Sequence, residues 1–368
     1  MIDLSNISVT QIGKLIKTGE LKSKSVIEYF IRRIKETNPK LNAIVVELFD
    51  EALSKAIESD NKIENGDEIG RLQGVPFTIK ECLDLRGTPT TFGLLRRTKD
   101  FPESTDKYVK LLQKEGAIVL GKSNVSQLLA SIESQNPVYG ITNNAYSLKH
   151  SSGGSSGGEG AIISAGGSPI GLGTDIGGSV RIPAAFNGIC AIKPTNQRTI
   201  DQARFTEENI DLPIDSVTGI LANHPEDLSL FLDIMNSAEQ KLKSFESVDF
   251  SKLKVGYMIS DKLFEPSNSI KRGIIESIVY LKSLGTEVIE FQPPNANEAE
   301  ELYTKVLSAN NLQIFSGNLK NEKPIALLRG YFSLVALPKV IRKIIFLMAR
   351  VFKQGTLRRV INYPNSAH

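Results

Sequence analysis

Apolar positions recur with a helical period near the amino terminus. Between Ile7 and Glu36 they predict two amphipathic helices: Ser8, Val9 and Thr10 start the first and Gly19 ends it, while Ser23 and Ser25 open the second, whose Val26, Tyr29, Phe30 and Ile34 share one face. Leu41 to Val46 predicts a short strand and Asp50 to Lys62 a third helix. Gly74 to Lys80 is an apolar run ending in a lysine, a strand followed by Glu81 and a Gly/Pro/Thr-rich turn region reaching Gly93. Asp106 to Glu115 predicts a helix capped by Gly116, and Ala117 to Leu120 a buried strand, which together make an αβ unit. A further helix is expected over Asn124 to Glu133, then an irregular polar stretch from Asn136 to Ser152. Glu159 to Ala165 reads as a short buried helix and Ile170 to Gly173 as a buried strand. Downstream come a helix over Pro225 to Met235, a strand over Leu253 to Met258, a helix over Ser267 to Leu284 ended by Gly285, and a strand over Glu287 to Phe291. This alternation, without an internal repeat, predicts an α/β domain with a mostly parallel sheet.

One stretch breaks the ordinary pattern. From Gly153 to Gly178, 26 residues hold eleven of the chain's 29 glycines. Such density destabilises a chain unless the backbone must take φ > 0 or approach something closely. A flexible linker has similar composition, but here the glycines flank apolar runs, Ala161 to Ser164 and Pro169 to Leu172, that read as buried. Ser155 and Ser179 each stand beside a glycine pair, which suggests a site built from backbone N–H groups and hydroxyls.

Composition narrows the chemistry. With 40% apolar and 23% charged residues, the 368-residue chain is that of an ordinary globular protein. Cys82 and Cys190 are too few for a disulfide framework, which fits a reducing compartment. The amino terminus lacks a basic start and an apolar core, so neither a signal peptide nor a membrane anchor is expected and the localisation is read as cytoplasmic. The net charge of +3 is uneven: residues 322–368 carry nine Lys/Arg against one acid, leaving −5 for the rest. Three histidines, His150, His224 and His368, leave few candidates for an imidazole base.

Three short motifs mislead. Gly116 to Ser123 fits the phosphate-loop expression GxxxxGK[ST], but its Ala117 to Leu120 is itself the strand that should precede such a loop. Gly171 to Gly177 resembles a dinucleotide fingerprint with one residue too many, and Pro183 arrives where the following helix should run. Gly153 to Gly157 fits the esterase elbow G-x-S-x-G, yet the polar Tyr146 to Ser152 before it does not read as a strand.

What remains is Lys80, Ser155 and Ser179. A strand-end lysine among Val75, Phe77 and Ile79 loses solvation, which favours its neutral form. A neutral amine is a competent general base, and serine needs such a base to attack a carbonyl. Lysine plus a relaying serine is then a coherent variant of the Ser-His-Asp arrangement. Consecutive N–H groups in the Ile176-Gly177-Gly178 turn can converge on an oxyanion.

GVPFTIKE, GGSSGGEGA and GLGTDIGGSVRIPAAFNGICAIKPT together resemble the amidase signature family. Glu133 to Gly160 and the Asn187-Gly188-Ile189 turn are similar to its fatty-acid amide hydrolase branch, the second vertebrate form in particular. The resemblance implies one α/β domain over 1–368, with N-terminal helices (1–65), a signature core (70–200) and a C-terminal part (201–368), built on a central mixed, mostly parallel sheet with helices on both faces. It implies Lys80 as base, Ser155 as bridging serine on a cis peptide, and Ser179 as acylated nucleophile. The backbone N–H groups of Ile176, Gly177, Gly178 and Ser179 become the oxyanion hole, with Asp175 and Arg181 bracing the loop. No metal or organic cofactor is implied, and the expected partner is a small-molecule amide, with a long acyl chain and a homodimer both admitted and no nucleic acid.

Family members continue with further strands beyond the point where NYPNSAH ends this chain, so the C-terminal part is expected to be incomplete and the chain poorly stable or inactive. Lys339 to Lys353 sets Lys339, Lys343, Arg350 and Lys353 near one helical face, a pattern suited to the surface of an anionic membrane. Two other functional readings stay open: a catalytically silent homologue, and the amidase subunit of a tRNA-dependent amidotransferase.

Overall fold

A computed structural model describes residues 3–195, 199, 214, 216–236, 247–260, 265–295, 298–299, 301–303, 306, 318–319 and 322–336. The basic segment Lys339 to Lys353 lies outside these residues. The elements in chain order are α1 (Val9–Lys17), α2 (Ser23–Leu41), β1 (Ile44–Glu47), α3 (Phe49–Asn65), β2 (Pro76–Lys80), α4 (Lys107–Lys114), β3 (Ile118–Ser123), β4 (Gln135–Asn136), β5 (Gly140–Ile141), α5 (Gly157–Ser164), β6 (Ile170–Asp175), α6 (Arg181–Asn187), β7 (Cys190–Ile192), β8 (Val217–Ala222), α7 (Pro225–Met235), β9 (Lys254–Tyr257), α8 (Asn268–Ser283), β10 (Glu287–Glu290) and α9 (Ala326–Ala336). The chain divides into two compact units, residues 1–240 with 311–337, and residues 241–310 with 338–368.

The first unit is built on a six-stranded sheet in the order β1-β3-β2-β6-β8-β7. β2 pairs in parallel with β3 and β6, while β1 and β8 pair antiparallel to their neighbours, so four of the six strands share one direction. Both faces carry helices, as β2 illustrates by its alternation. Phe77 meets Phe231 of α7 edge to face, ring centres 6.3 Å apart, whereas Thr78, on the opposite face, bonds to Glu159 of α5. In the second unit, β9 and β10 pair in parallel across α8, the crossover unit expected from the sequence.

Three local outcomes differ from expectation. The helix over Asn124 to Glu133 is absent; a single 3₁₀ turn at Gln127–Leu129 stands there, with Leu128 and Leu129 both at positive φ. Polar side chains take the backbone groups that a helix would use: Asn124 Oδ1 accepts from Val125 N, and Asn136 Nδ2 donates to Val125 O. Pro183 does not stop a helix but sits third in α6, where its missing N–H leaves no hydrogen bond unmade. Finally, β7 and β8 stand beyond the strands expected from the sequence, although VTGILA of β8 is fully buried and pairs with β6 over six residues.

A long-range strap closes the first unit. The Glu322 carboxylate accepts from Leu95 N at 2.9 Å and Arg96 N at 2.7 Å. Leu319 and Leu328 join Leu94 and Leu128 in a small buried cluster. At the other end of the chain, Asp227 of α7 accepts from Val9 N, Thr10 N and Thr10 Oγ1, placing a carboxylate at the positive end of α1. Asp227→Ala should therefore lower unfolding stability by about 2 kcal/mol or more, read from the urea midpoint; Asp227→Asn, which keeps part of the bonding, should cost less.

Candidate active site

Central pairing between β3 and β6 leaves the end of β2 no route to solvent, and Lys80 is fully buried. Its Nζ lies 2.7 Å from Ser155 Oγ, 2.9 Å from Thr174 Oγ1 and 3.3 Å from Thr174 O. Ser155 is equally buried and follows a cis Gly154–Ser155 peptide. The turn that carries it is anchored by Ser134, whose Oγ accepts from Gly157 N at 2.8 Å. α5 then runs directly against the sheet: a Cβ on Gly158 would fall 2.4 Å from Asn124 N.

Ser179 arrives from the other side, after β6. Its carbonyl accepts from Ser156 N at 3.1 Å, which ties its backbone to the residue after Ser155. The loop between is organised by Asp175, whose carboxylate accepts from Gly178 N (2.7 Å), Val180 N (3.1 Å) and both Nε and Nη2 of Arg181 (3.0 Å each). Burial opposes the charge on Asp175, but the guanidinium and these N–H groups outweigh it and hold the carboxyl below its usual range. The structure thus pairs Lys80 with Ser155 and Asp175 with Arg181, and joins the Ser179 backbone to that of Ser156. Of the amides expected to form the oxyanion hole, the Gly178 N–H donates to Asp175. The start of α6, where a dinucleotide fingerprint would set a phosphate, holds the Asp175 carboxylate of its own chain.

Two functional neighbours escaped sequence reasoning. Thr174, inside GLGTDIGGS, gives both its hydroxyl and its carbonyl to the Lys80 amine. Glu159, inside GGEGA, is a completely buried acid whose Oε2 lies 2.6 Å from Thr78 Oγ1. Desolvation pushes it up to about 8, against the opposing pull of the Thr78 and Ser123 hydroxyls and of Lys80. The signal available was an acid between glycines in an otherwise apolar helix, a place where a charge has no water.

A second buried pair holds the loop after β2. Lys122 Nζ donates to Pro89 O at 2.6 Å and Thr90 Oγ1 at 3.1 Å, while the Glu81 carboxylate accepts from Thr91 N at 2.5 Å and Phe92 N at 3.1 Å. Burial draws the Lys122 amine below its usual range, with Glu81, Cys82 and Asp84 acting the other way. The lysine of the phosphate-loop look-alike is therefore a loop brace within a strand. Among the described residues no group of three or more His, Cys, Asp or Glu side chains could hold a metal. No described helix is long and apolar enough to cross a membrane.

A sheet of this order, with a buried lysine bonded to a serine beside a glycine-rich loop, is that of an amidase signature fold, and the Amidase family profile matches residues 25–362, so the chain belongs to that family. Among individual relatives, fatty-acid amide hydrolase 2-A of Danio rerio is 40% identical over 257 residues, 67% of this chain and 48% of that protein. A glutamyl-tRNA(Gln) amidotransferase subunit of Clostridium acetobutylicum is 31% identical over 334 residues, 86% of this chain and 68% of that one. A solved fatty acid amide hydrolase superimposes with a TM-score of 0.81 at 29% identity, over 89% of this chain and 60% of its own. The chain spans about half the length of the vertebrate fatty-acid amide hydrolases it matches.

Because Glu159 holds its proton more tightly folded than unfolded, the folded state binds more protons between pH 4.5 and about 8, and stability falls as pH rises through that window. The upper limit of this loss is about 5 kcal/mol. Glu159→Gln, which cannot ionise, should gain on the wild type from pH 5 to about pH 8 in urea midpoints and level off above it.

Proposed function

We propose that this chain is a serine hydrolase of carboxamides working through Lys80, Ser155 and Ser179. The observation that carries the reading is the 2.7 Å contact between two fully buried groups, Lys80 Nζ and Ser155 Oγ. Burial favours the uncharged amine, and an uncharged amine in hydrogen-bond contact with a hydroxyl can take its proton. In the proposed sequence Lys80 accepts the proton of Ser155 as Ser155 accepts that of Ser179, and Ser179 Oγ adds to the amide carbonyl. The backbone N–H groups of Gly177 and Ser179, with Ile176 beside them, stabilise the oxyanion. The proton returns through Ser155 to the departing nitrogen, the C–N bond breaks, and water then releases the acid from Ser179 by the same relay. Asp175 and Arg181 hold the loop in shape.

The substrate class proposed is a long-chain fatty amide, which rests on the similarity to fatty-acid amide hydrolase 2-A. The similarity to an amidotransferase component supports a second reading, release of ammonia from glutamine for a partner protein, over a larger share of this chain at lower identity.

A fluorophosphonate probe followed by mass spectrometry tests the chemistry. Adduct on Ser179 is expected, lost in Ser179→Ala and slowed about 10²–10⁴-fold in Lys80→Ala, the range a general base supplies. Adduct on Ser155 instead points to the elbow-type esterase, and no adduct to a silent homologue. Hydrolysis of a long-chain primary amide in preference to a short one supports the lipid substrate; glutamine hydrolysis alone supports the amidotransferase reading.

A further inference from the structure

Between the sheet and α5 lies a sealed polar layer that the proposed relay uses only in part. Glu159, third residue of α5, points its carboxyl straight at β6: a Cβ on Gly171 would fall 1.8 Å from Oε2, so only glycine leaves room for it there. Oε2 contacts Thr78 Oγ1 at 2.6 Å; Thr78 Oγ1 is 3.2 Å from Ser168 Oγ; and Ser168 Oγ donates to Ile170 O at 2.8 Å. Each hydroxyl has one proton to give. Ser168 gives its own to a carbonyl, which leaves the single Thr78 proton with two acceptors, Glu159 Oε2 and Ser168 Oγ. When Ser168 takes it, a protonated Glu159 carboxyl completes the short contact to Thr78. Oε1 makes no well-aligned hydrogen bond; Ser123 Oγ, likewise without one, lies against the same carboxyl.

Each element packed around this carboxyl presents a definite group. β2 presents Lys80, two residues from Thr78 on the same face; β3 presents Ser123, the register partner of Lys80; β6 presents Gly171. From α2, Arg33 reaches the far end of α5, donating to Ala165 O. From α6, Asn187 and Pro183 face Gly160. Among the described residues, Lys80 is the titratable side chain that acts on Glu159.

A buried amine and a buried carboxyl holding one proton between them have two arrangements of equal proton count: a neutral pair, or an ion pair in which the amine is already protonated and useless as a base. We infer that the proton rests on Glu159, so that Lys80 stands uncharged, and that Glu159 is a positioning residue setting the basicity of Lys80. The inference rests on the reading of Lys80 as the base. Desolvation, which pushes the acid up to about 8, acts in the same direction. Raising pH past that point leaves a carboxylate beside an amine that must become positive in the transition state, which makes the amine a stronger base.

Two measurements test this. Infrared difference spectra of wild type against Glu159→Gln at pH 7 should show a protonated-carboxyl C=O stretch, above the amide I envelope, present only in the wild type and fading as pH rises through about 8. No such band overturns the inference, and the wild-type titration gives the answer even if the variant fails to fold. The rate of fluorophosphonate labelling on Ser179 should show two ionisations in the wild type, with a rise of about tenfold across the upper one, and only the lower one in Glu159→Gln. Identical profiles overturn the coupling, and a lower ionisation displaced by more than about one unit to acid pH in the variant shows that Glu159 was ionised all along. Failure of the wild type to label at any pH sinks the hydrolase reading instead, while the infrared band still reports on Glu159.

Discussion

A lysine at the end of a central strand, sealed from water with its amine 2.7 Å from a serine hydroxyl, couples three parts of the chain that are distant in sequence. β2 supplies the amine, the turn into α5 the hydroxyl, and the end of β6 a threonine that also accepts from the amine. An ammonium in such a place would be costly without an ionised partner. The amine bonds to two hydroxyls and a carbonyl, and the acid beside it is inferred to be neutral. The packing of the sheet against α5 and the chemistry of the site are one constraint seen from two sides.

Around this pair the molecule uses buried charge as scaffolding. Asp175 gathers the glycine loop that carries Ser179, Glu81 and Lys122 gather the loop after β2, and Asp227 ties the first helix to the seventh. In each case a charged side chain satisfies backbone groups in irregular structure that no strand or helix could pair. Irregular loops thereby become fixed walls, which a site built largely from main-chain N–H groups demands.

Much of this was legible in the residues. Strong periodicity placed seven of the nine described helices within a few residues, α6 and α9 being unforeseen, and α7 began and ended where its Pro225-Glu226-Asp227 start and Met235 end said it would. Lys80, Ser155 and Ser179 stood out only in combination, since a structural role explains each of them taken singly. The failures have physical causes. The stretch from Asn124 looks helical by apolar spacing, but the side chains of Asn124 itself and of Asn136 take the N–H and C=O of Val125 ahead of the turn at Gln127–Leu129. β7 and β8 depend on pairing with strands far away in sequence, which short apolar runs do not announce. The engagement of Gly178 by Asp175 needs three-dimensional geometry, since composition cannot say which amide of a glycine turn points inward.

The near-contact of α5 with the chain after β3 has one more implication. At Gly158 the helix rests on Asn124 with no side chain between them, main chain on main chain. Side chains in a core yield by changing rotamer, and a layer of them acts as a cushion; a seat of bare peptide does not yield in that way. The spacing between amine and hydroxyl is thus gauged by rigid parts, and exchanging one apolar side chain for another offers no means of adjusting it. Adjustment of reactivity then falls to the side chains that carry protons, the Lys80 stem and the hydroxyls around it, and not to the main-chain seat beneath them.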